Sequence, residues 1–184
     1  MRKLKVLAIS GSIRKNSSNE NILKGIDVMY RDQIAMSFFD GIDKLPHFNP
    51  DIDNDNLPAV VSSFRKQISE ADGVLFCTPE YVFSIPGSLK NAIEWNVSTT
   101  LFSGKPVAII VAAASGEKAF ESLKLVLTTI ESTIGPRSSL LIKGAKGKVR
   151  DGVIQEETLA NLKILMDDFI GIMKRPANTP TKYN

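Results

Sequence analysis

Hydrophobic and polar positions occur in alternating blocks along this chain of 184 residues. Short apolar runs stand at 4–10, 34–39, 73–78, 106–114 and 138–143, and the pattern predicts a β-strand for each of them. Three of the runs are almost continuously hydrophobic instead of alternating. This is typical of parallel strands that are covered by helices on both faces.

Amphipathic segments separate these runs, with apolar residues at spacings of three and four. The pattern predicts helices over 19–30, 57–71 and 120–134, and over about 156–174. Regular alternation of strand and helix favours one α/β domain over 1–175, a three-layer sandwich around a five-stranded parallel sheet of order 2-1-3-4-5. The last residues, 176–184, are proline-bearing and polar, and we expect a loose tail there.

Charge and cysteine content exclude several classes of function. The 23 basic and 20 acidic residues give a formal charge of +3, and the basic residues are spread out, so we expect no nucleic-acid partner. Its single cysteine, Cys77, allows no internal disulfide and favours a reducing compartment. The longest apolar run, 107–114, is far below the roughly 20 residues of a membrane-spanning helix. We therefore expect a cytoplasmic protein without a membrane partner.

The predicted fold indicates where a ligand site lies. In open doubly wound sheets, ligands bind beyond the carboxyl ends of the strands, where the strand order reverses. Three loops follow strands one, three and four at this edge: the first loop (10–19), the second loop (78–87) and the third loop (113–120). All three are rich in small and hydrogen-bonding residues, so we expect them to converge on one pocket.

The first loop has the composition of an anion-binding site. It contains Gly11, four serines, Arg14 and Asn19, and it leads into the start of the first helix. Unpaired helix amides, hydroxyls and a guanidinium all suit phosphate oxygens. A simple helix cap by Ser17 or Ser18 is the alternative, but a cap does not account for Arg14. The loop has no G-x-G-x-x-G or G-K-[ST] pattern, which excludes a Rossmann dinucleotide site and a Walker A site.

The second loop is suited to a planar aromatic ligand. Pro79, Tyr81 and Phe83 offer rigid or flat apolar surfaces, and Glu80 offers an acceptor. A purely structural interpretation makes Pro86 an early helix position capped by Ser84, with the following apolar residues in the core. The two interpretations are compatible.

Two stretches resemble one protein family. GSIRKNSSN (11–19) resembles G-S-x-R-x-x-S-x-N, and PEYVFSIPGSLKNAIEW (79–95) resembles P-E-Y-N-x-S-x-P-G-x-L-K-N-A-I-D-W, both of the NADPH-dependent FMN reductase family of flavodoxin-like proteins. The resemblance implies a flavodoxin-like fold with bound FMN. It also implies that the phosphate lies at Ser12, Arg14, Ser17 and Asn19, and the isoalloxazine along Pro79, Glu80 and Tyr81.

The full cofactor-site prediction also includes neighbours of these residues. It comprises Ser10, Ser12, Arg14, Ser17, Ser18, Asn19, Pro79, Glu80, Tyr81, Val82, Phe83, Ser115 and Gly116. Val82 stands where the family commonly has Asn, so a side-chain hydrogen bond from that position is lost. The third loop lacks the family's Gly-Gly-Ala-Arg, although Ser115 and Gly116 still offer polar and backbone contacts.

The resemblance implies an oxidoreductase that passes electrons from NADPH or NADH to a quinone or similar small acceptor by a ping-pong scheme. The flavin carries such chemistry, so no protein side chain is predicted to be catalytic. Relatives are often dimers or tetramers, so a homodimer or homotetramer is implied. The alternative is a flavodoxin-type electron carrier or a flavin-binding regulatory protein. Such carriers are commonly acidic and usually have a Thr-rich phosphate loop without arginine. This chain is slightly basic and has Arg14 in that loop, so the reductase is favoured.

Other sites are weaker candidates. A Ser-His-Asp hydrolase is disfavoured because His47 is the one histidine and no G-x-S-x-G is present. Asp51, Asp53 and Asp55 alternate as in a calcium loop, but Gly and Glu are missing at the required positions, so we predict a solvated acidic loop and no metal. Cys77 is predicted to be a core residue. The stretch 143–152, called the basic segment below, is basic and glycine-bearing, so its charge could attract an anionic cofactor, but a solvated turn is the favoured prediction.

Overall fold

Five parallel strands form the central sheet in the computed structural model, which describes residues 2–150 and 152–175. They are β1 (Leu4–Ser10), β2 (Ile34–Phe38), β3 (Gly73–Thr78), β4 (Pro106–Ala113) and β5 (Thr133–Lys143). The order β2-β1-β3-β4-β5 confirms the prediction. Every residue of β3 is buried, as expected for a central strand covered on both faces.

Helices cover both faces of this sheet. They are α1 (Ser18–Tyr30), α2 (Ala59–Glu70), α3 (Gly87–Glu94), α4 (Glu117–Thr129), α5 (Ala145–Lys148) and α6 (Glu156–Met173), with a short 3-10 helix at Pro50–Ile52. On one face, the sheet forms a hydrophobic core with α2, α3 and α4, which includes Phe64 and Leu123. On the other face, the sheet forms a second hydrophobic core with α1 and α6, which includes Ile22 and Leu165. The predicted three-layer arrangement is therefore confirmed.

The boundary between α4 and β5 differs from the prediction. The helix ends at Thr129 instead of continuing to 134, and Glu131 then turns the chain with a positive φ of 64°. Ile134 pairs with Val107 as part of β5. The sequence pattern placed Ile134 in the helix because its spacing from the preceding apolar residues fits a helix as well as the start of a strand. No glycine marks the turn between α4 and β5, so the pattern did not show where the helix ends.

The basic segment has more regular structure than predicted. It contains α5 and β6 (Val149–Arg150), and β6 pairs in antiparallel fashion with β7 (Val153–Ile154). The predicted tail, 176–184, lies outside the described residues. Within the parts of the chain that the structure describes, no helix is long and apolar enough to cross a membrane.

Candidate functional site

A cleft of about 1240 Å³ opens at the carboxyl ends of the strands. The first and second loops and the end of β4 contribute to its lining. The predicted site residues that line it are Ser12, Arg14, Ser17, Ser18, Asn19, Pro79, Glu80 and Tyr81. The structure thus brings the predicted phosphate residues and the predicted ring residues to one cavity, at the edge of the sheet where the strand order reverses.

In the first loop, Ser17 caps α1 and still has a proton to donate. Its Oγ accepts a hydrogen bond from Glu20 N at 3.1 Å, and the Glu20 carboxylate accepts one from Asn16 N at 2.7 Å. Because the capping bond uses only the oxygen lone pair, the Ser17 hydroxyl proton remains available to an anion. The capping and phosphate-binding interpretations of this serine are therefore compatible.

Gly11 allows the first loop to lie directly against β3. Its N–H donates to Cys77 O at 2.9 Å. A Cβ at this position would overlap the Thr78 side chain, lying 2.6 Å from Thr78 Cβ. The close approach of the two chains therefore requires glycine and fixes where the loop begins.

Asn19 joins α1 to two strands of the sheet. The side chain is 4% exposed, its Nδ2 donates to Ala112 O at 3.3 Å, and its Oδ1 accepts from Cys77 Sγ at 3.3 Å. Burial raises the pKa of the Cys77 thiol, so the thiol stays protonated and serves as a donor. The structure confirms that Cys77 is a core residue, and it shows Asn19 positioning the start of α1.

Glu80 connects the second loop to the third. Its two carboxylate oxygens accept hydrogen bonds from Gly116 N at 3.1 Å and from Ala119 N at 2.9 Å. The N-cap residue of α4 is Gly116, which has no side chain to cap the helix. The Glu80 carboxylate satisfies amides at this helix start, where a negative charge is also favoured by the helix dipole.

Five predicted site residues do not line the cleft, namely Ser10, Val82, Phe83, Ser115 and Gly116. The Ser10 hydroxyl closes the turn at the start of the first loop, donating to Ser12 O at 3.1 Å and accepting from Ser12 N at 3.2 Å. Ser115 is exposed, whereas Gly116 is buried at the start of α4. Their placement in the cofactor site stays a prediction.

Val82 and Phe83 form the tip of a tight turn. Reciprocal backbone bonds join Tyr81 and Ser84 at 2.9 and 3.0 Å, and both central residues have positive φ, 51° and 54°. Val82 is 95% exposed, and a β-branched residue with positive φ is a conformational outlier. Ser84 belongs to this turn, and Pro86 is the N-cap of α3 without a side-chain capping bond, so the predicted Ser84 cap is wrong.

Val82→Asn is expected to stabilise the protein by about 0.5–1 kcal/mol, because asparagine tolerates the left-handed conformation that strains valine. Thermal and urea unfolding of both proteins measure this gain. Val82→Thr is the matched control, since it adds polarity but keeps the branch at Cβ. Equal stability of the Asn variant and the wild type would contradict the strain assigned to this turn.

The basic segment is a part of the cleft, although the sequence favoured a solvated turn over a contact with an anionic cofactor. Gly144, Ala145, Lys146, Gly147, Val149, Arg150 and Gly152 all line it. The prediction of a merely solvated turn is therefore wrong. Its position directly after the fifth strand was an available signal, because that strand also ends at the ligand-binding edge.

Among the described residues, no cluster of His, Cys, Asp or Glu side chains has the arrangement of a metal-ion site. In the acidic loop, Asp53 instead pairs with Arg65 at 2.8 Å and accepts from the Ser98 hydroxyl. Both charged side chains of the pair are largely buried. This carboxylate therefore holds the loop against α2 and is less solvated than predicted.

Comparison with known proteins identifies the family. The model of the NADPH-dependent FMN reductases matches residues 4–147. The chain belongs to the NADPH-dependent FMN reductase family. A 2-hydroxy-1,4-benzoquinone reductase from Burkholderia sp. is 31% identical over 174 residues, which cover 90% of this chain and 94% of the relative. This member of the family is accordingly an oxidoreductase with FMN as cofactor and NAD(P)H as co-substrate.

Solved structures show the same fold. The flavoenzyme NAD(P)H:(acceptor) oxidoreductase FerB from Paracoccus denitrificans superposes with a TM-score of 0.72 at 24% identity, covering 93% of this chain and 97% of FerB. A flavodoxin from the domain Archaea superposes with a TM-score of 0.60 at 10% identity, covering 94% and 100% of the two chains. The predicted flavodoxin-like fold of this FMN reductase is confirmed.

FMN fits the donors and surfaces of the cleft. A phosphate requires concentrated donors and positive charge, which Arg14, the Ser17 hydroxyl and the first amides of α1 supply. A planar ring system requires apolar walls with backbone polar groups, which Pro79, Tyr81 and the end of β4 supply. One end of the cleft thus suits the phosphate and another suits the ring.

Proposed function

We propose that this chain transfers electrons from NADPH or NADH to a quinone or similar small acceptor by a ping-pong mechanism. The observation that carries the proposal is a single large cleft in which Arg14, serine hydroxyls and the first amides of α1 lie together with the apolar surfaces of Pro79 and Tyr81. Its volume of about 1240 Å³ exceeds the roughly 300–1,000 Å³ typical of a single small-molecule site. Quinones are supported as acceptors by the name of the Burkholderia relative, which is a benzoquinone reductase.

The residues of this chain bind and orient the reactants. Ser12, Arg14 and the α1 amides would hold the FMN phosphate, and Pro79 with Tyr81 would border the ring. Bound FMN supplies hydride acceptance and electron release. Tyr81 is half exposed, so one side of this wall stays open to an incoming planar reactant.

Proton transfer by the protein is not part of the proposed reaction. Among the described lining residues, Glu80 is the one carboxylate, and both of its oxygens accept from backbone amides. These residues include neither histidine nor cysteine. We therefore expect turnover to depend on placement of the reactants and not on a titrating side chain.

The visible spectrum tests this proposal. Protein loaded with FMN and desalted is mixed anaerobically with NADPH or NADH, and then with 1,4-benzoquinone. We expect retained yellow colour that bleaches with the reduced nucleotide and returns with the quinone. Retained colour without bleaching would instead favour an electron carrier or a regulatory flavoprotein, and failure to retain FMN would overturn the site.

We also propose a cytoplasmic homodimer or homotetramer. The family resemblance supports the assembly, and the single buried Cys77 suits a reducing compartment. Sedimentation equilibrium of the FMN-loaded protein measures the assembly directly. A monomer at micromolar concentration would overturn the oligomer.

A further inference from the structure

The basic segment places two cationic residues on the wall of the cleft. Lys146 and Arg150 both line it, and Arg150 Nε lies 3.4 Å from Lys146 O. This contact holds the Arg150 side chain against α5, the helix that carries Lys146. The two cations therefore belong to one local structure instead of being scattered over the surface.

Backbone contacts fix the basic segment to the rest of the fold. Gly144 N donates to Ala114 O at 3.1 Å, which joins it to the end of β4. Gln155 N donates to Lys148 O at 3.0 Å, and Gln155 Nε2 donates to Gly147 O at 3.2 Å, which join it to the start of α6. The Ile154 side chain packs against Gly25 of α1. The segment is thus a built wall of the cleft.

The cleft is lined by more cations than the first loop supplies. The cationic lining residues are Arg14, Lys146 and Arg150, while the Glu80 carboxylate is already bonded to two backbone amides. The first loop and the start of α1 offer Arg14, the Ser17 hydroxyl and helix amides as donors for one phosphate. Lys146 and Arg150 form no ion pair with a carboxylate of the described residues. They remain for a second anionic group.

The proposed reaction brings one reactant with further phosphates into the cleft. NADPH differs from NADH only by its 2′-phosphate, a phosphomonoester that carries about −1.5 to −2 charges near pH 7. Charge-assisted hydrogen bonds from a guanidinium and an ammonium group suit a dianionic phosphate better than they suit an uncharged ribose hydroxyl. The cleft volume of about 1240 Å³ is larger than the roughly 300–1,000 Å³ typical of a site for one small molecule.

We propose that Lys146 and Arg150 bind the 2′-phosphate of NADPH and give the enzyme its preference for NADPH over NADH. The inference rests on the proposed function, because it assigns a co-substrate to that same cleft. Lys146 lies within residues 4–147, where the family model matches, and Arg150 lies just beyond them.

The test uses three variants, namely Lys146→Ala, Arg150→Ala and the double variant that combines these two substitutions. Each of them is compared with the control variant Lys148→Ala. Lys148 is the matched control because it has the same charge and the same segment but does not line the cleft. The assays use FMN-loaded full-length protein. In the double variant, we expect kcat/KM for NADPH to fall about 10- to 100-fold, because charge-assisted hydrogen bonds to the 2′-phosphate are lost. We expect kcat/KM for NADH to change less than about 2-fold. The Lys148 variant should match the wild type.

Calorimetry of 2′,5′-ADP and 5′-AMP binding gives a second readout that needs no turnover. The wild type is expected to bind 2′,5′-ADP more tightly, and the double variant to lose this difference. Equal losses with NADPH and NADH would assign the two cations to the shared pyrophosphate and overturn the inference. A lower FMN affinity of the double variant with unchanged nucleotide selectivity would also overturn it, as would no preference of the wild type for 2′,5′-ADP. Bleaching by NADH in every variant would leave the proposed reductase function intact in each of these cases.

Discussion

Arg14→Ala is expected to raise the dissociation constant for FMN about 10- to 100-fold, since it removes a charge-assisted, forked contact to the phosphate. The side chain is exposed on the first loop, and removing it should leave the fold unchanged. Quenching of flavin fluorescence on titration with apoprotein measures the constant. Riboflavin, which lacks the phosphate, should bind wild type and variant with similar affinity.

Lys15→Ala is the matched control for this experiment. Lys15 is the next residue, carries the same charge and is also exposed, but it does not line the main cleft. We expect its FMN affinity to stay within about 2-fold of the wild type, because a charge that does not contact the ligand is screened by solvent and salt. Equal effects of the two substitutions would show that only the net charge of the loop matters, and unchanged affinity in Arg14→Ala would remove Arg14 from the site.

Glu80→Ala is expected to lower the free energy of unfolding by about 2–3 kcal/mol, because two amides at the start of α4 lose a charged acceptor. FMN affinity is expected to fall as well, since the same carboxylate holds the second loop against the third. Urea unfolding of the apoprotein and FMN titration measure the two effects separately. Stability and affinity both equal to the wild type would refute the role assigned to Glu80.

Two further variants separate this contact from a general charge effect. Glu80→Gln keeps one acceptor oxygen and loses the charge, so an intermediate stability is expected. Glu121 lies on the exposed surface of α4, where it pairs with Lys118 at 2.8 Å. Because exposed ion pairs contribute little, Glu121→Ala should change the free energy of unfolding by less than about 0.5 kcal/mol.

The departure of Val82 from the family pattern has a backbone explanation. The sequence suggested that a side-chain hydrogen bond to the cofactor or substrate is lost with the family's Asn. In the structure, the side chain points into solvent at positive φ, a conformation that asparagine adopts readily. An asparagine at this position is therefore favoured by the turn itself, whatever it does for the ligand.

The sequence by itself determined the architecture and the region of the site. Continuous apolar runs identify buried parallel strands, and the alternation with amphipathic helices leads to the order 2-1-3-4-5 that the structure has. The first and second loops were also predictable, because Gly11, Arg14, Pro79 and their neighbours are local signals within short stretches. Such patterns depend on residues close together in the chain, and a sequence displays them directly.

Only the tertiary structure decided how the loops work together. The placement of Glu80 along the flavin ring stays a prediction, and the structure adds that its carboxylate caps a helix that begins more than thirty residues later. The phosphate contact of Asn19 stays a prediction, and the structure adds that its buried amide group bonds to two strands. The basic segment looked like a solvated turn, yet it lines the cleft. These roles arise from contacts between distant segments, and such contacts depend on strand order and helix packing, which no local spacing of residues records.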